Sequence, residues 1–173
     1  MNSGITIEEL MDAQGLVDKN IYKRYEDNCR CMIADVLLKK NYSVAYPNGN
    51  NQNYSFDFEI ITDAIPNENG RWLFEIKMPT PYSHSPTGVE KTKIWLNNAM
   101  ALYYSGENAG RISIIVNNRT VFEQIRELMS HYKIPDEISV ILVSTEKQKV
   151  LDEYVMSLSD GQEAKRVLAD YQE

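Results

Sequence analysis

A carboxylate and an ammonium group stand two residues apart in the tripeptide Glu75-Ile76-Lys77. Residues two apart in a β-strand project from the same face, so both side chains would share one surface. The glutamate could bind Mg²⁺, which prefers oxygen ligands, while the lysine could polarise an attacking water beside a phosphate. The main-chain carbonyl of Ile76 could supply another oxygen ligand. The alternative is a solvated strand face that carries an ordinary surface ion pair.

Asp57 adds a second carboxylate to this pattern. It lies on the strand that precedes Glu75, across a predicted hairpin, so that two adjacent strands could aim carboxylates at one ion. Aspartate is disfavoured inside strands, yet Asp57 stands between two phenylalanines, which favours a ligand over an exposed residue of an alternating strand. A second tripeptide, Glu163-Ala164-Lys165, lies in a helical pattern, where residues two apart diverge, and it cannot form the same site.

Three other acidic residues have predicted roles of different kinds. Glu59 shares the predicted face of Asp57 and is a reserve ligand, whereas Asp63 fits the turn that ends the strand. Glu26 falls on the inward side of the first predicted helix, where a buried carboxylate needs a partner. A metal ion or Lys77 could be that partner. An ordinary salt bridge, or a position at the edge of the apolar stripe, is the alternative.

The elements that position these residues follow from periodicity and from turn-forming residues. The predicted helices and strands alternate along the chain as follows: helix Lys19–Lys40, strands Tyr42–Tyr46, Tyr54–Thr62 and Arg71–Met78, helix Val89–Tyr104, strand Arg111–Asn117, helix Thr120–Tyr132, strand Glu137–Ser144, and one or two helices in Lys147–Gln172. Alternation predicts that Phe56, Phe58 and Ile60 face one way. With Trp72 and Phe74 they are expected to pack under one helical layer.

This order predicts an α/β fold with a mixed, about five-stranded central sheet covered by helices on both faces. We expect a single domain over residues 1–173, with a core over about 19–144. A helical segment over 5–13 and helices over 147–172 would be additions to that core.

The predicted elements follow the order of an acidic helix, a strand with Asp, a hairpin, a strand with Glu-x-Lys, a helix and a strand. This order resembles the PD-(D/E)XK, or restriction-endonuclease-like, nuclease superfamily. The resemblance covers roughly Lys19–Ser144 and implies a three-layer α/β/α fold and an endonuclease dependent on Mg²⁺ or Mn²⁺ that hydrolyses DNA or RNA. It implies that Asp57 and Glu75 are metal ligands, that Lys77 is the catalytic lysine and that Glu26 is the accessory acid. Phe56 replaces the proline after which the superfamily is named, a departure common in so divergent a group.

The composition limits the partners of the chain. A net charge of -7 argues against a broadly basic surface that binds nucleic acid, although metal-binding carboxylates account for part of the excess. The two cysteines, Cys29 and Cys31, diverge on the predicted helix and are expected to stay reduced. With no apolar run of membrane-spanning length and no secretory signal, we expect a cytoplasmic protein without a membrane partner.

Further residues suggest contacts with a nucleic-acid strand. His84 follows the predicted site in a loop, and Lys91 and Lys93 open the next helix, where cations could meet phosphates. A polar loop and a solvated helix start are the alternative. The resemblance also implies a homodimer, because many members of the superfamily cut two strands as dimers. The main competing function is an inactive domain of the same fold that binds nucleic acid or protein. An unrelated small-molecule enzyme is disfavoured because no Gly-rich phosphate loop, serine elbow or zinc pattern is present.

Overall fold

The computed structural model describes residues 19–47, 56–65, 70–77, 110–131, 138–155 and 167–168. In these ranges the elements are α1 (Lys19–Lys39), β1 (Phe58–Ile61), β2 (Arg71–Lys77), β3 (Arg111–Val116), α2 (Arg119–Ser130), β4 (Ile138–Ser144) and β5 (Lys149–Val155). The helices predicted over residues 5–13 and 89–104 lie outside the described residues, as does most of the region after residue 155. None of the described helices is long and apolar enough to cross a membrane.

The five strands form one mixed sheet in the order β1-β2-β3-β4-β5. The outer pairs, β1 with β2 and β4 with β5, are antiparallel, whereas β2, β3 and β4 run parallel to one another. Hairpins can join antiparallel neighbours, but parallel neighbours need longer crossovers, and α2 lies in the crossover from β3 to β4. The predicted mixed sheet is confirmed.

In the described part of the chain, each face of the sheet packs against a helix. Trp72 and Phe74 lie in a buried cluster with residues of α1, whereas Leu73, between them in the sequence, lies in a second cluster with residues of α2. Since successive side chains of a strand point to opposite faces, the two helices cover opposite faces of the sheet. The α/β fold with helices on both sides of a five-stranded sheet is therefore confirmed. Of the residues predicted to share one helical layer, Phe58, Ile60, Trp72 and Phe74 pack on the α1 side.

Helix α1 follows the predicted stripe. Cys29, Ile33 and Leu37 are each 0% exposed, whereas Asp35, on the outer face of the helix, is exposed and pairs with Lys39 at 2.7 Å. Residues spaced by three or four positions form one helical face, so burial of this stripe against the aromatic side of the sheet sets the rotation of α1. Arg30 and Glu26 thereby lie beside the stripe at partly exposed positions.

The strand predicted over residues 42–46 is wrong. Only Ala45 pairs with the sheet, through an isolated bridge in which it exchanges hydrogen bonds with Ile61 at 2.9 and 2.8 Å. The N–H of the neighbouring Ser43 donates to the side chain of Asp63 and not to a strand. Strand-forming residues are insufficient where the main chain has other hydrogen-bond partners.

The helix predicted from residue 147 onward is also wrong at its start. Residues 149–155 form β5, which pairs with β4 across a turn at residues 145–148. In this turn Gln148 adopts a left-handed φ of 52°. Glycine or asparagine usually occupies such a position in a hairpin turn, so the sequence did not indicate a hairpin here. Phe56 also departs from the prediction. It packs in the cluster that contains Leu73 and residues of α2, because a bend at residues 56–57 precedes β1.

Candidate functional site

Asp57 lies at the bend that leads into β1, directly against β2. Its N–H donates to the carbonyl of Phe74 at 3.0 Å, and its Oδ2 accepts from the N–H of Ile76 at 2.7 Å. The antiparallel register of β1 with β2 begins at Phe58, which pairs with Phe74. The two hydrogen bonds of Asp57 place its backbone beside Phe74 and its Oδ2 beside the N–H of Ile76, the residue between Glu75 and Lys77. The hairpin thus brings Asp57 next to the strand that carries Glu75.

Glu75 and Lys77 lie near the carboxyl end of β2. Glu75 is half-buried, and the pairing with β3 places Glu75 beside Ile114 and Lys77 beside Val116. Strands β2 and β3 end at this edge of the sheet, and β1 begins there because it runs the opposite way. Crevices outside the carboxyl ends of parallel strands are common ligand sites in α/β sheets. The predicted residues of both strands therefore share one edge.

Glu26 is held by an ion pair within α1. The Nη2 of Arg30 donates to its Oε1 at 2.9 Å, so the partner is the ordinary salt bridge that the sequence left open. Burial is the main cause that raises the pKa of Glu26; Arg30 lowers that pKa, and the charge of Asp57 raises it further. Because Asp57 affects the pKa of Glu26, the two carboxylates lie within electrostatic range. This end of α1 therefore faces the edge where Asp57 lies.

The acidic residues suit one kind of metal site and not another. Among the described residues, no group of three or more His, Cys, Asp or Glu side chains is placed to hold a metal ion. Mg²⁺ needs only one or two carboxylates because it keeps several of its own waters. Asp57, Glu75 and the carbonyl of Ile76 are hard oxygen donors, the kind of ligand that Mg²⁺ prefers. They do not fit a cage in which Glu26 is a third carboxylate in its present position.

Two other acids have partners away from this edge. The reserve ligand Glu59 accepts two hydrogen bonds from the guanidinium of Arg71, at 2.6 and 3.3 Å, in an ion pair across β1 and β2. Asp63 lies in the turn after β1, as predicted, and its Oδ1 accepts from the N–H of the distant Ser43 at 2.8 Å. Glu59 is therefore a structural residue. His84, Lys91 and Lys93 lie outside the described residues.

Arg30 is the residue at this edge that was missed from the sequence. Its guanidinium carbon lies 5.7 Å from the ring centre of Tyr46 and 5.5 Å from that of Phe58, within cation–π range. The spacing of Glu26 and Arg30, four residues apart with the acid first, is the helical pattern that favours an ion pair and could have revealed it. Tyr46 is half exposed, at 50%.

A buried thiol lies near the same carboxylates. Burial raises the pKa of Cys29 to about 12; a hydrogen bond with Tyr25 opposes this rise, whereas Asp57 and Glu26 add to it. A thiol with so high a pKa stays protonated and is a poor nucleophile or soft-metal ligand. The Cys29 thiol therefore stays protonated at neutral pH and has a structural role in the core.

Comparison with known proteins gives structural neighbours only. No protein-family model matches the sequence, and no curated protein matches it. One similar structure is an XisH family protein from Nostoc punctiforme PCC 73102, with a TM-score of 0.42 and 11% identity over 70% of this chain and 94% of that chain. Another is an fdxN element excision controlling factor protein from Anabaena variabilis, with a TM-score of 0.43 and 12% identity over 73% of this chain and 98% of that chain. Similarity at this level transfers neither residue roles nor activity to this chain.

Proposed function

We propose that this chain is a metal-dependent nuclease of the PD-(D/E)XK type, which hydrolyses phosphodiester bonds of DNA or RNA at Asp57, Glu75 and Lys77. The observation that supports the proposal is the hydrogen bond from the N–H of Ile76 to Oδ2 of Asp57, which ties Asp57 to the main chain between Glu75 and Lys77 where β1 and β2 pair. Lys77 follows Glu75 by one strand repeat, so its backbone lies at the same edge.

Each residue has a distinct role in this proposal. Asp57, Glu75 and the carbonyl of Ile76 hold a divalent cation, and the bond from the Ile76 N–H keeps the Asp57 carboxylate in one orientation. Bound Mg²⁺ or Mn²⁺ supplies Lewis-acid stabilisation of the phosphate and a more acidic water. Lys77 orients the attacking water and stabilises negative charge that develops on the phosphate.

The substrate and partners complete the proposal. A chain with a net charge of -7 has little general attraction for nucleic acid, so contacts to the phosphates must be local. His84, Lys91 and Lys93 are proposed for that role, and a homodimer would present two such centres to a duplex.

The test is cleavage of labelled DNA and RNA by the purified protein in Mg²⁺ or Mn²⁺, compared with chelator. Asp57→Asn and Glu75→Gln keep side-chain shape but remove the charge that holds the cation, so both should nearly abolish cleavage. Lys77→Ala should lower turnover on the order of 100-fold or more. Substrate binding can survive all three changes.

Matched controls exist at exposed positions. Asp35→Asn, Glu127→Gln and Lys39→Ala make the same chemical changes at exposed helix positions outside the site and should keep wild-type cleavage. Full cleavage by the three site variants, or equal cleavage in chelator, would exclude this mechanism.

A binding module without catalysis is the second candidate function. It is favoured by the net charge of -7, which gives the chain little general attraction for a nucleic-acid substrate. It predicts that wild type and Asp57→Asn bind nucleic acid or a protein partner equally well, and that neither cleaves any substrate.

A further inference from the structure

The β4–β5 hairpin extends past the edge of the sheet at which the candidate site lies. One row of paired residues crosses the four strands from β2 to β5: Lys77, Val116, Leu142 and Asp152. Strands β2 and β3 end at this row, whereas β4 continues to Ser144 before the chain turns at residues 145–148. At about 3.3 Å per residue, the hairpin therefore projects roughly 7 Å beyond the ends of β2 and β3.

The tip of this hairpin carries two ammonium groups on a braced turn. The N–H of Lys147 donates to the Oγ of Ser144 at 3.2 Å, and the Nε2 of Gln148 donates to the carbonyl of Thr145 at 2.6 Å. Lys147 and Lys149 are both exposed, and neither forms an ion pair with another described residue. The turn thus fixes the backbone of two cations that no described acid neutralises.

The base of the hairpin and Glu75 share one face of the sheet. Leu73 packs in the cluster under α2, and Glu75, two residues later in the strand, lies on the same face. Val150 packs in the opposite cluster under α1, so the adjacent Lys149 lies on the α2 side. This face is the one from which a phosphate would approach Glu75.

Arg119 supplies a third cation on this face. It is the first residue of α2, it follows β3 closely, and its side chain is 54% exposed. Its Nη1 lies 2.9 Å from Asp152 and 3.7 Å from Glu123. Both acids contact the same nitrogen, and a guanidinium has five N–H donors, so other donors remain for a phosphate.

The spacing of these cations suits one nucleic-acid strand. Neighbouring strands of a sheet lie about 4.8 Å apart, so roughly 14 Å separates β2 from β5. One strand of a duplex carries a charge about every 3.4 Å along the helix axis, so this width covers roughly four phosphates. A chain with a net charge of -7 needs such a local group of cations, because its overall field repels nucleic acid.

We propose that Arg119, Lys147 and Lys149 form a phosphate rim that binds the substrate strand on the β5 side of the proposed centre. The strand then follows the carboxyl edge of the sheet from β2 toward the β4–β5 hairpin. Contacts to phosphates carry no direct sequence information, so the rim binds different sequences alike. This inference rests on the proposed function, because it takes nucleic acid as the substrate and sets its path.

The test is fluorescence anisotropy with labelled oligonucleotides of two unrelated sequences, measured on the full chain in chelator so that the strand stays intact. Lys147→Gln and Lys149→Gln should each weaken binding by roughly three- to tenfold, equally for both sequences, because each removes one charge beside a phosphate. The slope of log affinity against log salt should become shallower by about 0.7–0.9 for each cation removed. Lys147→Arg and Lys149→Arg keep the charge and should keep the affinity.

Arg119 has a matched control on its own helix. Arg126 also pairs with Glu123, but it lies about 10 Å further along α2, away from the edge. Arg119→Gln should weaken binding as the lysine variants do, whereas Arg126→Gln should bind like wild type. Arg119→Lys keeps the charge and should stay within about threefold of wild type, and circular dichroism confirms that each variant is folded.

The outcomes separate the phosphate rim from the proposed function. Wild-type affinity in all three neutralised variants, with binding by the wild type, overturns the rim alone. An equal loss in Arg119→Gln and Arg126→Gln also overturns it, since the effect would then come from net charge. If the rim variants weaken binding but the wild type cleaves no substrate in Mg²⁺ or Mn²⁺, the rim is supported and the nuclease function is refuted. No binding of any oligonucleotide by the folded wild type, with or without Mg²⁺, overturns both.

Discussion

At the scale of single residues, the candidate site depends on which hydrogen bonds each side chain makes. Asp57 is bonded to the main chain of β2, whereas Glu59, two residues later, is neutralised by Arg71. These two acids have the same charge and the same predicted face, so only their partners separate a ligand candidate from a structural residue.

Cys29 and Cys31 should differ in reactivity for the same local reasons. Burial raises the pKa of Cys29 to about 12 from an ordinary value of 9.0, whereas Cys31 is exposed. Iodoacetamide at pH 8 should therefore label Cys31 and spare Cys29 in the folded protein, as peptide mass spectrometry would show. The Cys31→Ser variant should remain unlabelled until it is unfolded.

The same shift has a defined effect on stability. Because the pKa of the Cys29 thiol is higher in the folded than in the unfolded protein, the protonated thiol stabilises the fold. This stabilisation is complete at pH values below the unfolded-state pKa and is lost as the pH rises from about 9 toward 12. Alkaline destabilisation in this window should be smaller in Cys29→Ala, measured relative to its own stability at pH 7. Rapid labelling of native Cys29 at pH 8 would contradict the buried, protonated thiol.

At the scale of elements, the β1–β2 hairpin sets the register of the site. The N–H of Thr62 donates to the carbonyl of Gly70 at 2.8 Å, which closes the hairpin just before β2 begins. Gly70 has a φ of 57°, and a Cβ at this position would lie 2.5 Å from the carbonyl oxygen of Thr62. Only glycine fits there without a shift of the backbone.

Gly70→Ala should therefore lower the free energy of unfolding by roughly 1–3 kcal/mol, because it adds both a disfavoured φ and a steric clash. Urea denaturation measures the effect. Asn41→Gly is the matched control: Asn41 also has a left-handed φ, of 64°, and glycine is at least as well suited to it, so stability should be nearly unchanged. If Gly70→Ala is equally harmless, the described hairpin geometry is wrong.

At the scale of the whole molecule, a buried charge joins distant parts of the chain. Glu153 in β5 is 0% exposed, lies 3.6 Å from the guanidinium of Arg111 in β3, and accepts the N–H groups of Val167 and Leu168 at 3.0 and 2.7 Å. Lys40, at the end of α1, donates to the carbonyl of Val167 at 2.6 Å. The residues at 167–168 are thereby fastened to the α1 side of the sheet.

Glu153→Ala should cost about 3–5 kcal/mol of stability, because it removes one member of a buried ion pair together with two hydrogen bonds to the main chain. Glu153→Gln keeps an oxygen that can accept those bonds and should cost less. Glu123 pairs with arginines on the exposed face of α2, so Glu123→Ala should cost less than about 1 kcal/mol. Equal losses in Glu153→Ala and Glu123→Ala would contradict the anchoring role of Glu153.

The sequence by itself determined the elements whose burial pattern is periodic. The stripe that includes Cys29, Ile33 and Leu37 predicted α1, and the alternation around Glu75 predicted the two faces of β2, because each period directly reports which side chains meet the core. The hairpin that joins the segments of Asp57 and Glu75 also followed from the sequence, whereas the convergence of the two carboxylates and their catalytic roles stay predictions. These are local properties, since neighbouring residues alone define the pattern.

Only the tertiary structure decided which segments pair and which charges meet. Residues 149–155 form a strand because β4 offers its main-chain groups beside them, whereas residues 42–46 reach the sheet only at Ala45. Likewise, the helical spacing permits Arg30 to bind Glu26, but the rings of Tyr46 and Phe58, which come from elsewhere in the chain, complete its surroundings. Strand pairing and charge neutralisation both depend on partners distant in sequence, and a periodic pattern contains no information about such partners.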